Sequence, residues 1–88
     1  MALVSSLQVT CLTTPTLLVR TDSDGCKVAI HKEQTHIIYL GGSDVTTSNG
    51  FLFDHDGMVE VDLPSNAELY GCSTSGTEKA YMLIIGNR

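Results

Sequence analysis

Turn-forming residues interrupt this chain so often that no long helix fits between them. Clusters of Gly, Asn, Asp and Ser fall at short intervals, and the segments between them are rich in Val, Ile, Leu and Thr. None of these segments has the apolar spacing of a helix over the length that a helix needs. In residues 58–63 apolar and acidic residues alternate, so Val59, Val61 and Leu63 are expected to face inwards. The sequence therefore predicts an all-β protein.

The predicted strands are short and closely spaced. They cover residues 7–12, 16–20, 26–32, 36–40, 58–63, 67–72 and 78–85, with residues 51–53 as a further short strand or a plug at one end of the core. About seven short antiparallel strands indicate a compact β-sandwich or a small barrel. We expect residues 15–88 to form a single β domain, and residues 1–14 to be either an extended N-terminal arm or its first strand.

The charge of the chain disfavours two classes of partner. The net charge is −5, and the five Lys and Arg residues are scattered, so no basic stripe is available to neutralise phosphates. The same charge disfavours an anionic membrane surface. No stretch approaches the roughly 20 apolar residues of a membrane span, and residues 1–7 lack the features of a signal peptide. We expect a soluble protein, synthesised in a cytoplasm, that binds neither nucleic acid nor membrane.

Residues that often carry chemistry are not spaced for it. The cysteines are odd in number and form no C-x-x-C pair, which favours three reduced, mostly buried thiols: Cys11, Cys26 and Cys72. The histidines do not fall at zinc-ligand spacing with any cysteine: His31, His36 and His55. Two Asp-x-Asp-Gly segments, at 22–25 and 54–57, resemble the opening of a calcium loop, but neither has the closing Glu, so ordinary turns are favoured.

Catalytic motifs are also missing from the sequence. No serine lies in a G-x-S-x-G elbow, and Cys72 lies on a predicted strand and not at a helix N-terminus, where the pKa of a thiol is lowered. We expect no enzymatic activity, no catalytic residues, no cofactor and no metal site.

Two predicted strands are apolar on both faces, which implies either a central strand or a subunit interface. These are residues 36–40 and the last strand, and a domain this small has difficulty burying both alone, so a homo-oligomer is expected. The candidate interface residues are Leu3, Val4, Leu7, Val9, Ile38, Leu40, Met82 and Ile84.

A family resemblance extends over residues 26–86. Residues 38–51 read Ile-Tyr-Leu-Gly-Gly-Ser-Asp-Val-Thr-Thr-Ser-Asn-Gly-Phe, and residues 69–77 read Leu-Tyr-Gly-Cys-Ser-Thr-Ser-Gly-Thr before an apolar final strand. This combination resembles small β-rich virion proteins of tailed bacteriophages, although these often have a Pro soon after the Gly-Phe pair, where this chain has residues 52–56. The resemblance implies a non-enzymatic structural protein located in the virion and made in the bacterial host cytoplasm. It favours a capsid decoration protein that binds the major capsid protein or another virion protein as an oligomer.

The N-terminal segment and one loop suggest more specific hypotheses. Residues 1–14 are apolar and rich in Ser and Thr, so they either add as a strand to a neighbour or to the capsid, or form an ordinary first strand. The alternative function is a tail- or fibre-associated module that recognises a host-surface glycan. Its ligand loop would contain Phe51, Phe53, Asp54 and Asp56, although Trp is absent and packing of the two Phe in the core or at an interface is favoured.

Overall fold

The computed structural model describes residues 4–32, 37–54 and 57–86, which form eight β-strands. The strands are β1 (Val4–Cys11), β2 (Thr16–Arg20), β3 (Cys26–Lys32), β4 (Ile38–Gly41), β5 (Phe51–Phe53), β6 (Met58–Leu63), β7 (Glu68–Cys72) and β8 (Glu78–Gly86). The described residues include no helix long and apolar enough to cross a membrane. The all-β prediction is confirmed. The described residues form eight strands because residues 51–53, predicted as either a short strand or a plug of the core, pair with β4 as a strand.

The strands form two four-stranded antiparallel sheets that pack against each other as a small β-sandwich. The first sheet has the order β1-β8-β3-β6 and the second has the order β2-β7-β4-β5. The predicted bounds of β2, β3 and β6 agree with the structure, whereas β1 begins at Val4, earlier than the sequence predicts. The predicted bounds agree because side chains of a strand point alternately to its two faces. In β3, for example, Val28 and Ile30 are buried while Lys27 is exposed.

Successive strands mostly belong to opposite sheets. This arrangement shows that one connection predicted as a hairpin is wrong. The sequence predicts a hairpin closed by residues 73–76. In the structure β7 lies in the second sheet and β8 in the first, so this turn carries the chain across the sandwich. The buried Ser73 stabilises the crossing: its hydroxyl donates to the carbonyl of Cys11 at 2.9 Å and accepts from the amide of Gly76 at 2.9 Å. Ser75 and Thr77 donate to the carboxylate of Glu78 at the start of β8.

The core lies between the inner faces of the two sheets. It contains Cys11, Leu18, Val19, Val28, Ile30, Ile38, Leu40, Phe53, Leu69, Ala80 and Met82. Three predicted interface residues, Ile38, Leu40 and Met82, are therefore wrong as interface residues. They lie on the internal strands β4 and β8, and the opposite sheet of the same chain covers their side chains. The central-strand explanation of their apolar character is the one that the structure supports.

The connection between β4 and β5 is a compact loop around the buried Val45. A Cβ added at Gly41 would lie 2.8 Å from a methyl carbon of Val45, and one added at Gly50 would lie 2.7 Å from the Cβ of Tyr39. The side-chain oxygen of Asn49 accepts a hydrogen bond from the amide of Thr46 at 2.7 Å. Both glycines are needed because the loop folds directly onto these neighbours.

Candidate interaction surface

Potential metal ligands are not grouped together in the part of the chain that the structure describes. Within residues 4–32, 37–54 and 57–86, no three His, Cys, Asp or Glu side chains are grouped so that they could hold a metal ion. His31 is exposed on the outer face of the first sheet, with its ring centroid 6.3 Å from that of Tyr81. His36 and His55 lie outside the described residues.

The three cysteines are free thiols, as the sequence predicts. Cys11 and Cys72 are buried, and Cys26 is half-buried. Burial raises the pKa of the Cys11 thiol to about 11, with smaller contributions from Cys72 and Glu78. Burial also raises the pKa of the Cys26 and Cys72 thiols. Because the thiolate is the reactive form, these cysteines are poor nucleophiles at neutral pH.

The predicted ligand loop is only partly a surface. Phe53 is wrong as a ligand residue, because its ring is fully buried in the core. Phe51 is 61% exposed, since it lies on the short edge strand β5 beyond the cover of the first sheet. An opening of about 420 Å³ separates its ring from Val59 and Val61 of β6. Asp54 is exposed directly after β5, and Asp56 lies outside the described residues.

The outer face of the first sheet carries an apolar patch, which we call the outer patch: Ala29, His31, Met58, Tyr81 and Leu83. The strand register places His31 between Tyr81 of β8 and Met58 of β6, and Ala29 beside Leu83. Met58 is 57% exposed and Leu83 is 43% exposed. The patch borders a shallow depression of about 420 Å³ that extends to Ser6 and Gln8 on β1. Since β8 is apolar on both faces, its inner face fills the core while its outer face presents this patch to solvent.

Four of the remaining predicted interface residues lie on the first sheet. Val4 and Leu7 are exposed on β1, whereas Val9 and Ile84 are half-buried and pack against the core. Leu3 lies outside the described residues. Residues 4–11 of the predicted N-terminal segment form a strand of the domain itself, paired with β8 along its whole length.

Lys32 is an unusual side chain to find enclosed between the sheets, and it is not among the residues predicted from the sequence. It is 2% exposed, its ammonium lies 5.2 Å from the centroid of the Phe53 ring, and no described residue accepts a hydrogen bond from its Nζ atom. The ring face attracts the cation, but the amine has lost its hydration. The signal was present in the alternation of β3, since Lys32 follows Val28 and Ile30 on the same inward face.

A small polar cluster lies on the second sheet. The guanidinium of Arg20 donates to the carboxylate of Glu68 at 2.7 Å, and the hydroxyl of Tyr70 donates to the other carboxylate oxygen at 3.0 Å. The hydrogen bond to Glu68 raises the pKa of Tyr70. The Arg20 and Glu68 side chains are exposed, so their ion pair contributes little to stability. We interpret the cluster as a cross-strand contact and not as a binding site.

Comparisons of the chain with protein-family models, with curated proteins and with solved structures find no significant match. Three surface features bear on function: the outer patch, the exposed strand β1 and the exposed Phe51. All three can make contacts with another molecule.

Proposed function

We propose that the protein is a non-enzymatic structural component of a bacteriophage particle, a head decoration protein that binds the capsid surface as an oligomer. Its partner is the major capsid protein or another virion protein, and it is made in the host cytoplasm before it joins the virion. The observation that carries the proposal is the sequence of residues 38–51 followed by that of residues 69–77, which resemble small phage virion proteins.

Residues 38–51, the first segment of the resemblance to phage virion proteins, fold as one unit. A structural motif shared between proteins is expected to do so. Residues 38–51 contain β4, the loop around Val45 and the first residue of β5. Its glycines are explained by close packing within this unit. Because Gly41 and Gly50 serve the fold, the motif supports a common scaffold and does not mark a ligand site.

The surface supports a role in assembly. The outer patch exposes apolar side chains that a partner protein would cover. The net charge of −5 helps to keep the free protein soluble until it meets its partner. On a capsid lattice, an oligomer contacts several equivalent sites at once, so weak single contacts combine into stable attachment.

The copy number of the chain in purified particles tests this proposal. Quantitative mass spectrometry against the major capsid protein is expected to give a ratio near one-to-one or a simple fraction of it. A handful of copies per particle would contradict a decoration role, and absence from particles would contradict any virion role.

A pair of variants tests which surface is involved. Leu83→Lys places a charge in the outer patch and is expected to lower the copy number. Leu52→Lys is the matched control, because Leu52 is similarly exposed on the second sheet. Equal incorporation of both variants and the unmodified chain would show that the outer patch is not the docking face.

The exposed Phe51 favours a second candidate, a tail- or fibre-associated module that binds a host-surface glycan. An exposed aromatic ring suits the stacking that sugars require, and the exposed Asp54, which follows β5, offers a carboxylate for hydrogen bonding. This candidate predicts few copies per particle and glycan binding that both Phe51→Ala and Asp54→Ala abolish without loss of folding. A glycan array on which the unmodified protein binds nothing would exclude it.

A further inference from the structure

The two sheets end in four edge strands, and three of these are protected against pairing with another chain. Strand β5 has only three residues, and β2 has five residues with a shift in register between Leu17 and Val19. Strand β6 carries the exposed carboxylates of Glu60 and Asp62. Shortness, bulges and charge are the usual ways in which proteins prevent edge-to-edge association.

Strand β1 has none of these protections. It is eight residues long, it contains no charged residue and no proline, and its register with β8 is unbroken from Val4 to Cys11. No other described strand pairs with its second edge. In an antiparallel ladder the backbone N–H and C=O groups of alternate residues point away from the partner. In residues 4–10 of β1, the backbone groups of alternate residues are therefore available to bind another strand, whereas the carbonyl of Cys11 already accepts a hydrogen bond from Ser73.

The exposure of Leu7 shows that this edge is incompletely covered. Leu7 pairs with the buried Met82 in register, so its side chain points to the inner face of the first sheet. It is nevertheless 41% exposed, because β1 is the last of the described strands in its sheet. A strand added next to β1 would place a side chain directly beside Leu7 on the same face.

We infer that β1 pairs with β1 of a second copy of the chain, so that two first sheets join into one continuous eight-stranded antiparallel sheet. A two-fold axis normal to the sheet keeps the inner faces of both copies on the same side. Residues that lie opposite each other share a face of the sheet, so an odd-numbered residue of β1 pairs only with an odd-numbered one, and an even-numbered residue only with an even-numbered one. The pairing that covers the exposed inner side chain places Leu7 opposite Leu7 of the second copy. Ser6 then lies opposite Gln8, and Ser5 opposite Val9.

The distribution of charge favours a second copy at this edge. Strand β6, with Glu60 and Asp62, is at the opposite edge of the same sheet. Pairing through β1 keeps these carboxylates at the far ends of the joined sheet, whereas pairing through β6 would bring them together across the axis. Two acidic molecules therefore approach each other through their uncharged edges.

The joined sheet also specifies how the outer patch is presented. Because the axis is normal to the sheet, the outer patches of both copies face the same direction. This inference supplies a contact for the oligomer of the proposed function and rests on that function only for its biological role. The dimer is tested on the purified protein and the virion role is tested on particles, so either can fail alone.

Charge substitutions at Ser6 and Gln8 test the dimer and its register. Both residues are exposed. In the inferred pairing, S6K/Q8K places like charges opposite each other on both sides of the axis, whereas S6E/Q8K places opposite charges there. S43K/S65K is the matched control, since it adds the same charge at exposed positions in loops. Sedimentation equilibrium at several concentrations gives the mass, and circular dichroism checks folding.

The expected result is a dimer for the unmodified chain, for S43K/S65K and for S6E/Q8K, and a folded monomer for S6K/Q8K. Amides of alternate β1 residues are also expected to gain protection from hydrogen exchange as the concentration rises. A monomer or a trimer for the unmodified chain would overturn the inference. So would a dimer that survives S6K/Q8K, or a dissociation that S6E/Q8K does not reverse.

Discussion

Replacing Lys32 with methionine is expected to stabilise the protein. The ammonium of Lys32 is buried against the ring of Phe53, and no described residue accepts a hydrogen bond from it. A buried polar group without a hydrogen bond costs about 1–3 kcal/mol, and more when it is charged. The attraction between the cation and the ring returns only about 0.5–2 kcal/mol of this.

Methionine removes the cost and keeps the packing. Its unbranched side chain is close to lysine in volume, so the substitution leaves no large cavity. Its sulfur contacts an aromatic ring favourably, by about 0.3–1.5 kcal/mol, which replaces most of the attraction that the ammonium provided. We expect Lys32→Met to raise the free energy of unfolding by about 1–3 kcal/mol. In a domain of 88 residues each kcal/mol corresponds to a rise in Tm of about 4–8 °C.

Urea denaturation followed by circular dichroism measures this change, provided that the dependence on urea concentration is the same for both proteins. Lys27→Met is the matched control, since Lys27 is on the same strand but exposed on the outer face. We expect it to change the unfolding free energy by less than about 0.5 kcal/mol. If Lys32→Met is less stable than the unmodified protein, the ammonium makes a net favourable contribution and the reasoning is wrong.

Three further predictions follow from the same structure. Phe53→Ala should lower the unfolding free energy by about 3–5 kcal/mol because it empties a fully buried site; Phe51→Ala should cost much less, and similar losses in chemical denaturation would contradict the burial of the two rings. Gly50→Ala should cost about 1–3 kcal/mol, because the new Cβ would lie 2.7 Å from a carbon of the neighbouring strand. Gly42→Ala, with its nearest neighbour 3.6 Å away, should be tolerated, and equal thermal stability of the two variants would count against the close packing of the loop. Stability should fall as pH rises from 9 to 11. The Cys11 thiol has its ordinary pKa of 9.0 in the unfolded protein and a pKa of about 11 in the folded protein. The unfolded state therefore loses the proton at lower pH and is favoured as pH rises. Denaturation midpoints measured in this range should be less sensitive to pH in Cys11→Ala, and an unchanged slope would refute the assignment.

Much of the local structure could be predicted from the sequence. Alternation in residues 26–32 and 58–63 gave the bounds of β3 and β6, because a side-chain period of two leaves little freedom in where such strands begin and end. The candidate site was harder to predict. Phe51 and Phe53 have the same residue type and face the same side of β5, yet one is exposed and the other is buried. The difference in exposure between the two rings depends on how far the opposite sheet extends. The pattern of neighbouring residues in the sequence carries no information about this.

The sequence by itself determined that the protein is all-β and where most of its strands lie. The number and spacing of its cysteines also favoured free thiols over disulfide bonds. These properties depend on neighbouring residues, through side-chain alternation and turn chemistry. Only the tertiary structure decided that the turn at residues 73–76 crosses between sheets, that Lys32 is enclosed over Phe53, and that β1 has an unprotected edge. The physical reason is that sheet membership and cover depend on contacts between residues far apart in the chain, and the same turn residues serve a hairpin or a crossing equally well.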